Sequence, residues 1–464
     1  MYKKQHVHFV GIGGIGMSGL ARVLLTLGHS VSGSDLRQTE LTRALERMGA
    51  VVYRGHAPEH VLGADVVVIS SAVRADNPEV EAARVAQIPV IPRAEMLAGL
   101  MRLKKFGIAV AGAHGKTSTT SLVAAVLREG GLDPTVIIGG KVNGIGGNAC
   151  WGRGDYLVAE ADESDGSFLR LTPSIAVVTN IDREHLDHYR DLDHIRRSFA
   201  EFLDRLPFYG LAVLCADDPH VADLLPGGDR RVITYGTSEA ADLRARDIRH
   251  EAGGVAFSAW WQEAELGSIR LRKPGLHNVR NALAALAVGI ELEIPFEVIR
   301  QGLHGFTGVG RRFEHVGEVR GITVMDDYAH HPTEIRATLE AARACWPDRR
   351  LVVLFEPHRY TRTHALMDEF AGAFTGADLL FLTEIYPASE EPIVGVSGER
   401  LARRVRERHA GEVQFVPSCE ALAEAAATRL RPGDVVFTLG AGGIGAVGQR
   451  LVEILGGKAQ AAVP

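Results

Sequence analysis

The residues best equipped for chemistry form one string, Ala111-Gly112-Ala113-His114-Gly115-Lys116-Thr117-Ser118. It follows an apolar run and opens a helical pattern, the setting that a phosphate-binding loop requires. Its glycines let backbone N–H groups turn inward onto phosphate oxygens, and a helix N-terminus adds partial positive charge. Lys116 supplies a point charge for the outer phosphates, and Thr117 offers a hydroxyl to Mg2+. The spacing is G-x-x-G-K-T-S, with Val110 where a longer nucleotide loop has its first glycine. Such a loop needs oxygen ligands for a metal at neighbouring strand ends. Two strings offer them: Glu160-Ala161-Asp162-Glu163-Ser164-Asp165 and Asn180-Ile181-Asp182-Arg183-Glu184-His185.

A second glycine string, Gly11-Ile12-Gly13-Gly14-Ile15-Gly16, fits G-x-G-x-x-G, and Asp35 closes the next strand at a distance suited to a ribose hydroxyl. By itself this reads as dinucleotide binding, so a nicotinamide-dependent oxidoreductase competes. The same geometry serves any nucleoside diphosphate, a UDP-sugar included. Gly440–Gly445 repeats the pattern and reads equally well as a tight turn. Two polar loops at strand ends, 326–332 and 355–363, gather carboxylate, imidazole, phenol and guanidinium groups. In the second, Arg359 and Arg362 suit bidentate contact with carboxylate or phosphate. Arg311 and Arg312 form either a salt-bridged hinge or a phosphate contact.

Holding these strings in place calls for strands alternating with helices. Strands are predicted at Val7–Val10, Ser30–Gly33 and Val66–Ile69, with helices at Ile15–Leu27, Leu41–Met48 and Pro78–Ala86 between and after them. The Pro-marked stretch Ile88–Arg93 punctuates the end of this first block. A second block has strands at Phe106–Ala111, Tyr156–Ala159 and Ile175–Thr179, helices at Lys116–Glu129, Asp193–Leu206 and Asn278–Gly289, and hairpin strands at Val255–Trp260 and Ser268–Leu271. The glycine-dense stretch Gly302–Gly310 reads as a linker. A third block has strands at Thr323–Met325, Leu351–Phe355, Leu379–Leu382 and Val435–Leu439, and a polar-poor tail follows Gly456. This alternation predicts α/β domains built on parallel sheets.

The length agrees: 464 residues at ~150 per domain give about three domains. With 46% hydrophobic and 23% charged residues the composition is globular, and a net charge of −6 excludes a generic nucleic-acid binder. Four cysteines, none in a C-x-x-C pair, exclude a disulfide scaffold and a cysteine zinc site and suit a reducing cytoplasm. Lys3 and Lys4 before an apolar run mimic the start of an export signal, but its glycines and Arg22 spoil the pattern. No apolar run of ~20 residues predicts membrane insertion.

Taken together, the chain resembles the Mur ligase family from end to end. The resemblance rests on Gly11–Gly16, Gly112–Ser118, Glu160–Asp165, Asn180–His185, His277-Asn278 with Asn281-Ala282, Arg311–Phe313, Asp326–Pro332 and His358–Thr363. The D-D-Y-A-H-H-P and P-H-R-Y-T-R-T strings favour its alanine-adding member. Three α/β domains are implied: a Rossmann-like UDP-sugar-binding domain over 1–97, a central P-loop ATPase domain over 98–312, and a Rossmann-like domain over 313–464 that closes over ATP and amino acid. The implied partners are ATP, UDP-N-acetylmuramate and L-alanine, with Mg2+ (or Mn2+ in its place) as cofactor and no nucleic acid.

The resemblance also implies roles. Gly112, Ala113, His114, Gly115, Lys116, Thr117 and Ser118 would hold ATP, together with His277, Asn278, Asn281, Arg312 and Asp326. Thr117, Glu160 and His185 would hold the metal, and Lys116, Glu160 and His185 would be catalytic. Gly13, Gly14, Ile15, Gly16, Ser34, Asp35, Ser70 and Ser71 would hold the UDP-sugar. Tyr328, His330, His331, His358, Arg359 and Arg362 would meet the amino acid. The implied reaction is attack of the sugar's carboxylate on the γ-phosphate, then displacement of phosphate by the amine. The group that deprotonates the amine stays open among His330, His331 and substrate phosphate. Glu356 departs from the Gln expected before Pro-His-Arg, and no secure counterpart of a carboxylated lysine is found. The competing readings are a sister ligase adding a preformed peptide, the oxidoreductase, and a non-catalytic ATP-binding module.

Overall fold

The computed structural model describes residues 3–142, 147–224, 230–251 and 253–457. Its strands are short apolar runs such as Val7–Val10, Ile108–Ala111 and Leu351–Phe355, buried on both faces. A parallel sheet covered by helices demands that pattern. Among the described residues three sheets form, one per block.

In the first, five parallel strands run in the order Val51–Arg54, Ser30–Asp35, His6–Val10, Val66–Ile69 and Val90–Pro92. The order reverses at His6–Val10, and Gly11–Gly16 leaves its carboxyl end there, where an open α/β sheet binds ligands. In the ten-stranded second sheet, Phe106–Ala111 lies between Ile175–Val178 and Tyr156–Glu160 in parallel register. Both acidic strings therefore emerge beside the phosphate-loop candidate. Leu243–Glu251 joins this sheet parallel to Arg231–Gly236, and Gly254–Trp261 and Ala264–Leu271 extend it as antiparallel strands. The third sheet has six strands, with only Glu314–Val319 antiparallel.

One apolar cluster runs from Val7 to Leu303 and joins the first two blocks. The third block has its own clusters on the two faces of its sheet, around Phe355 and Val353 on one side and Leu354 and Val352 on the other.

Three differences from the sequence expectations have local causes. Ile88–Arg93 is more than punctuation: Val90–Pro92 pairs with Val67–Ile69 as an edge strand, where proline is tolerated. Val51–Arg54 and Glu412–Phe415 are further edge strands, too short and exposed to show a buried apolar run. Gly302 belongs to the helix Phe296–Gly305, not to a linker. A Cβ there would lie 3.1 Å from Val126 Cα, so glycine permits close packing on the helix Lys116–Glu129. The helix Arg93–Met101 runs unbroken through residue 97. Of the tail after Gly456, only Gly457 lies within the described residues.

Candidate functional site

The loop 111–118 is clamped by its neighbouring strand end. Gly112 has φ of +132°, and a Cβ on it would come within 2.1 Å of Thr179 Oγ1. Glycine is therefore required here. Asn180 Oδ1 accepts from His114 N at 2.8 Å, while Thr179 Oγ1 donates to His114 O at 2.7 Å. Lys116 Nζ curls back to Gly112 O (2.6 Å) and pairs with Glu163 Oε1 at 2.7 Å. Burial opposes the ammonium charge, but Glu163, Asp162 and Glu160 outweigh it and raise its pKa.

The acidic string supplies distinct environments. Glu160 Oε1 accepts from Gly139 N at 2.7 Å, yet burial still raises its pKa. Asp162 pairs with Arg93 at 2.7 Å; burial opposes its charge, but Arg93 and Lys116 hold the pKa at about 2. Glu163 Oε2 is buried without a hydrogen-bond partner among the described residues. His185 Nε2 lies 3.6 Å from Glu163 Oε1.

The third block meets this site through charges. Arg362 pairs with Glu184 at 2.8 Å, both nearly buried. Burial opposes ionisation of Glu184, but Arg362 and three histidines hold its pKa well below the carboxylate range. His330 is pushed down to about 4, mainly by burial, and its Nδ1 lies 2.8 Å from Tyr328 O. A carbonyl only accepts, so Nδ1 carries the proton and Nε2 is the ring's free acceptor. His358 falls to about 3 by burial and by the charge of His330.

Two cavities meet at the loop. One of about 410 Å³ is lined by His114, Gly115, Ser118, His277, Asn278, Asn281, Arg312 and Asp327. His277 is pushed down to about 4 there, by burial and then by Arg312 and Arg280. The other, about 440 Å³, brings together Gly14, Gly16, Ser70, Ser71, Ala113, Lys116, Thr117, Glu160, His185, Tyr328, His330 and Arg362 from all three blocks. His114, Gly115, Arg312 and Glu334 line both.

Other expected residues lie outside these cavities. Asp326 is buried against Arg311 (2.8 Å) and Thr438 (2.6 Å), so it is not placed to contact nucleotide here. Alternation along the strand points Asp327 toward the cavity instead. Ser34 is also turned inward, donating to the buried Glu79 at 2.5 Å. Gly13 N donates to Asp35 Oδ2, and Ile15 is solvent-exposed. Among the imidazoles, His331 caps its helix through Nδ1, and His358 stacks on Tyr386 with centroids 5.5 Å apart. Arg359 reaches Asp187.

Arg93 and Glu334 are site residues that residue types alone did not single out, while Glu163 and Asp182 lay in the acidic strings without individual roles. The signals were a basic side chain opening a helix and a glutamate three positions after His331, as in a capping box. His114, Glu184 and His331 place ligand atoms within 4.8 Å of one another. Both ring nitrogens of His114 already face carboxylates, which leaves no lone pair for a metal there.

A glycine loop opening a helix, flanked by acidic strand ends and shared by three α/β blocks, defines a phosphate-loop nucleotide-binding protein. Profiles of the Mur ligase family catalytic domain, the Mur ligase middle domain and the Mur ligase glutamate ligase domain match residues 6–105, 110–289 and 311–442. The chain belongs to the Mur ligase family. It is 57% identical to a UDP-N-acetylmuramate–L-alanine ligase of Geotalea uraniireducens, over 98% of this chain and 100% of that one. A protein of the same name from Desulfotalea psychrophila is 56% identical, over 98% and 100%. The crystal structure of a UDP-N-acetylmuramate–alanine ligase from Thermotoga maritima superposes with a TM-score of 0.84 at 31% identity, covering 98% of this chain and 100% of that one. A murein peptide ligase from Psychrobacter arcticus scores 0.72 at 26% identity, covering 99% and 100%. Among the described residues no helix is long and apolar enough to cross a membrane.

Proposed function

We propose that the protein joins L-alanine to the carboxylate of UDP-N-acetylmuramate at the expense of ATP, giving UDP-N-acetylmuramoyl-L-alanine, ADP and phosphate in cell-wall precursor synthesis. The observation that carries this reading is the 440 Å³ cavity, which unites Gly14 and Gly16, the loop Lys116-Thr117, and Tyr328, His330 and Arg362. The adjoining cavity at His277, Asn278 and Asn281 suits the nucleoside of ATP. A triphosphate running between the two would pass Gly115 and Lys116 and present its γ-phosphate to the second cavity.

A carboxylate oxygen of the sugar attacks the γ-phosphorus, the bond to ADP breaks, and an acyl phosphate forms. Two anions must approach, so positive charge has to wait at their meeting point. Lys116 provides it, moving from Glu163 to phosphate. The L-alanine amine then attacks the acyl carbon, the carbon–oxygen bond to phosphate breaks, and the departing phosphate takes the proton that the nitrogen loses. No protein nucleophile takes part. A ring with a pKa of about 4 is neutral at pH 7, and its Nδ1 proton is engaged by Tyr328 O. His330 therefore accepts a hydrogen bond from the amine through Nε2 and orients it.

Thr117, Glu160 and His185 are the residues that would hold Mg2+. Hydroxyl and carboxylate oxygens suit this ion, and the unpartnered Glu163 Oε2 marks a polar pocket that bound groups would complete. When bound, Mg2+ supplies further charge neutralisation at the phosphates. We assign the domains to 1–97, 98–312 and 313–464, and cytoplasmic location fits four free cysteines. Family similarity supports alanine over a preformed peptide. The test is ADP release by the purified protein with ATP, Mg2+ and UDP-N-acetylmuramate. L-Alanine should drive turnover and a preformed tripeptide should not; the reverse would make it the sister ligase.

A further inference from the structure

We propose that His114 is a positioning residue: a charged imidazolium that latches the third block onto the phosphate loop. The inference rests on the loop assignment above and extends it. The backbone of His114 belongs to the loop, held by Thr179 and Asn180, but its side chain faces the third block. Nε2 meets Asp182 Oδ2 at 2.9 Å and Nδ1 meets Glu334 Oε1 at 3.4 Å. The ring also packs on that of His331, with centroids 4.8 Å apart.

A neutral imidazole has one N–H, and carboxylates only accept, so a hydrogen bond to Asp182 at one nitrogen and Glu334 3.4 Å from the other favour the doubly protonated ring. The balance of forces agrees. Burial opposes the charge, but Asp182 and Glu334 push the pKa up to about 10. Asp182 comes from the loop's own block and Glu334 from the docking one. Thr333 Oγ1, also from the docking block, donates to Asp182 Oδ2 at 2.7 Å. Arg312 is 3.5 Å from Glu334, and His331 Nδ1 is 3.4 Å from Asp182. Undocking removes Glu334, Thr333 and His331 together and leaves His114 with Asp182 alone. The same loop that grips phosphate thus completes its charge only when the third block is in place.

The pH dependence has a definite sign. Of the two carboxylates only Glu334 arrives with the third block, so docking raises the pKa of His114 above the value it has when paired with Asp182 alone. The latch is therefore complete while the ring is protonated in both states and weakens as pH rises toward about 10, by at most about tenfold per pH unit.

Small-angle scattering of the full chain, with a non-hydrolysable ATP analogue and UDP-N-acetylmuramate, reads docking directly. The wild type should compact at pH 7 and lose compaction progressively toward pH 10. His114→Asn should stay extended at every pH and lose at least tenfold in kcat, with an unchanged melt of the first two blocks. Thr333→Val, which leaves the loop untouched, should fall between them and decides the matter if His114→Asn does not fold. Wild-type compaction in both variants overturns the latch. A His114→Asn protein that docks like the wild type yet binds the analogue more than tenfold more weakly also overturns it, making His114 a phosphate contact. Failure of the wild type to bind the analogue would instead remove the loop assignment.

Discussion

Between the first and second blocks, the helix Ile15–Thr26 lies on the strands Thr135–Val142 and Gly147–Cys150, and a single apolar cluster runs through both blocks. Asn148 fastens that contact by donating to Ser18 Oγ at 2.9 Å and to Ile15 O. Between the second and third blocks no apolar cluster is shared among the described residues. Contact is carried by Arg362–Glu184, His114–Glu334, Arg359–Asp187 and Arg183–Glu369. An apolar junction is held by area removed from water and has no inexpensive open state. A polar junction exchanges its partners for water and opens more readily. The proposed site lies across both junctions; in the proposed reaction the first would fix the sugar-nucleotide side to the phosphate loop, and the second would admit substrates and then exclude water from the acyl phosphate.

Breaking the chemistry itself should have the largest effect. Lys116→Ala removes the charge at the meeting of two anions, and ADP release should fall about 10³-fold or more with the melting temperature nearly unchanged. Next comes the polar junction. Arg362→Ala strands Glu184 as a buried, unpaired carboxylate, at about 3–5 kcal/mol against docking. Scattering should show the third block released, and kcat should drop with it. Acid should do the same in the wild type. Burial opposes the charge of Glu184, but Arg362 from the third block holds its pKa well below the carboxylate range. This contribution is complete above the ordinary carboxylate pKa near 4 and is lost as pH falls below it. Compaction with ligands should therefore fail below about pH 4 while the first two blocks stay joined. The apolar junction should respond least: Asn148→Ala leaves the Ser18 hydroxyl and Ile15 carbonyl short of a donor, about 1–3 kcal/mol, seen as a few degrees in melting with docking of the third block unaltered.

What was legible in the sequence follows the same division. The loop Gly112–Ser118 could be read because its chemistry belongs to consecutive backbone groups at a strand–helix turn. The acidic strings could be placed because parallel strands end on one edge of their sheet. Choosing Asp327 over Asp326 needed the facing of a strand whose neighbours, Arg311 and Thr438, are remote in sequence. Arg93 and Glu334 acquire meaning only through partners 69 and 220 residues away, Asp162 and His114. Gly302 looked like a linker because a glycine that permits helix packing has the same letter as one that permits a turn.

The central claim is that the sugar's carboxylate is phosphorylated before the amine arrives. It is tested most directly with UDP-N-acetylmuramate carrying 18O in that carboxylate, incubated with ATP, Mg2+ and L-alanine, the released phosphate being read by mass spectrometry. One 18O atom should appear in inorganic phosphate for each amide bond formed. Phosphate free of label, alongside labelled amide product, would contradict the account.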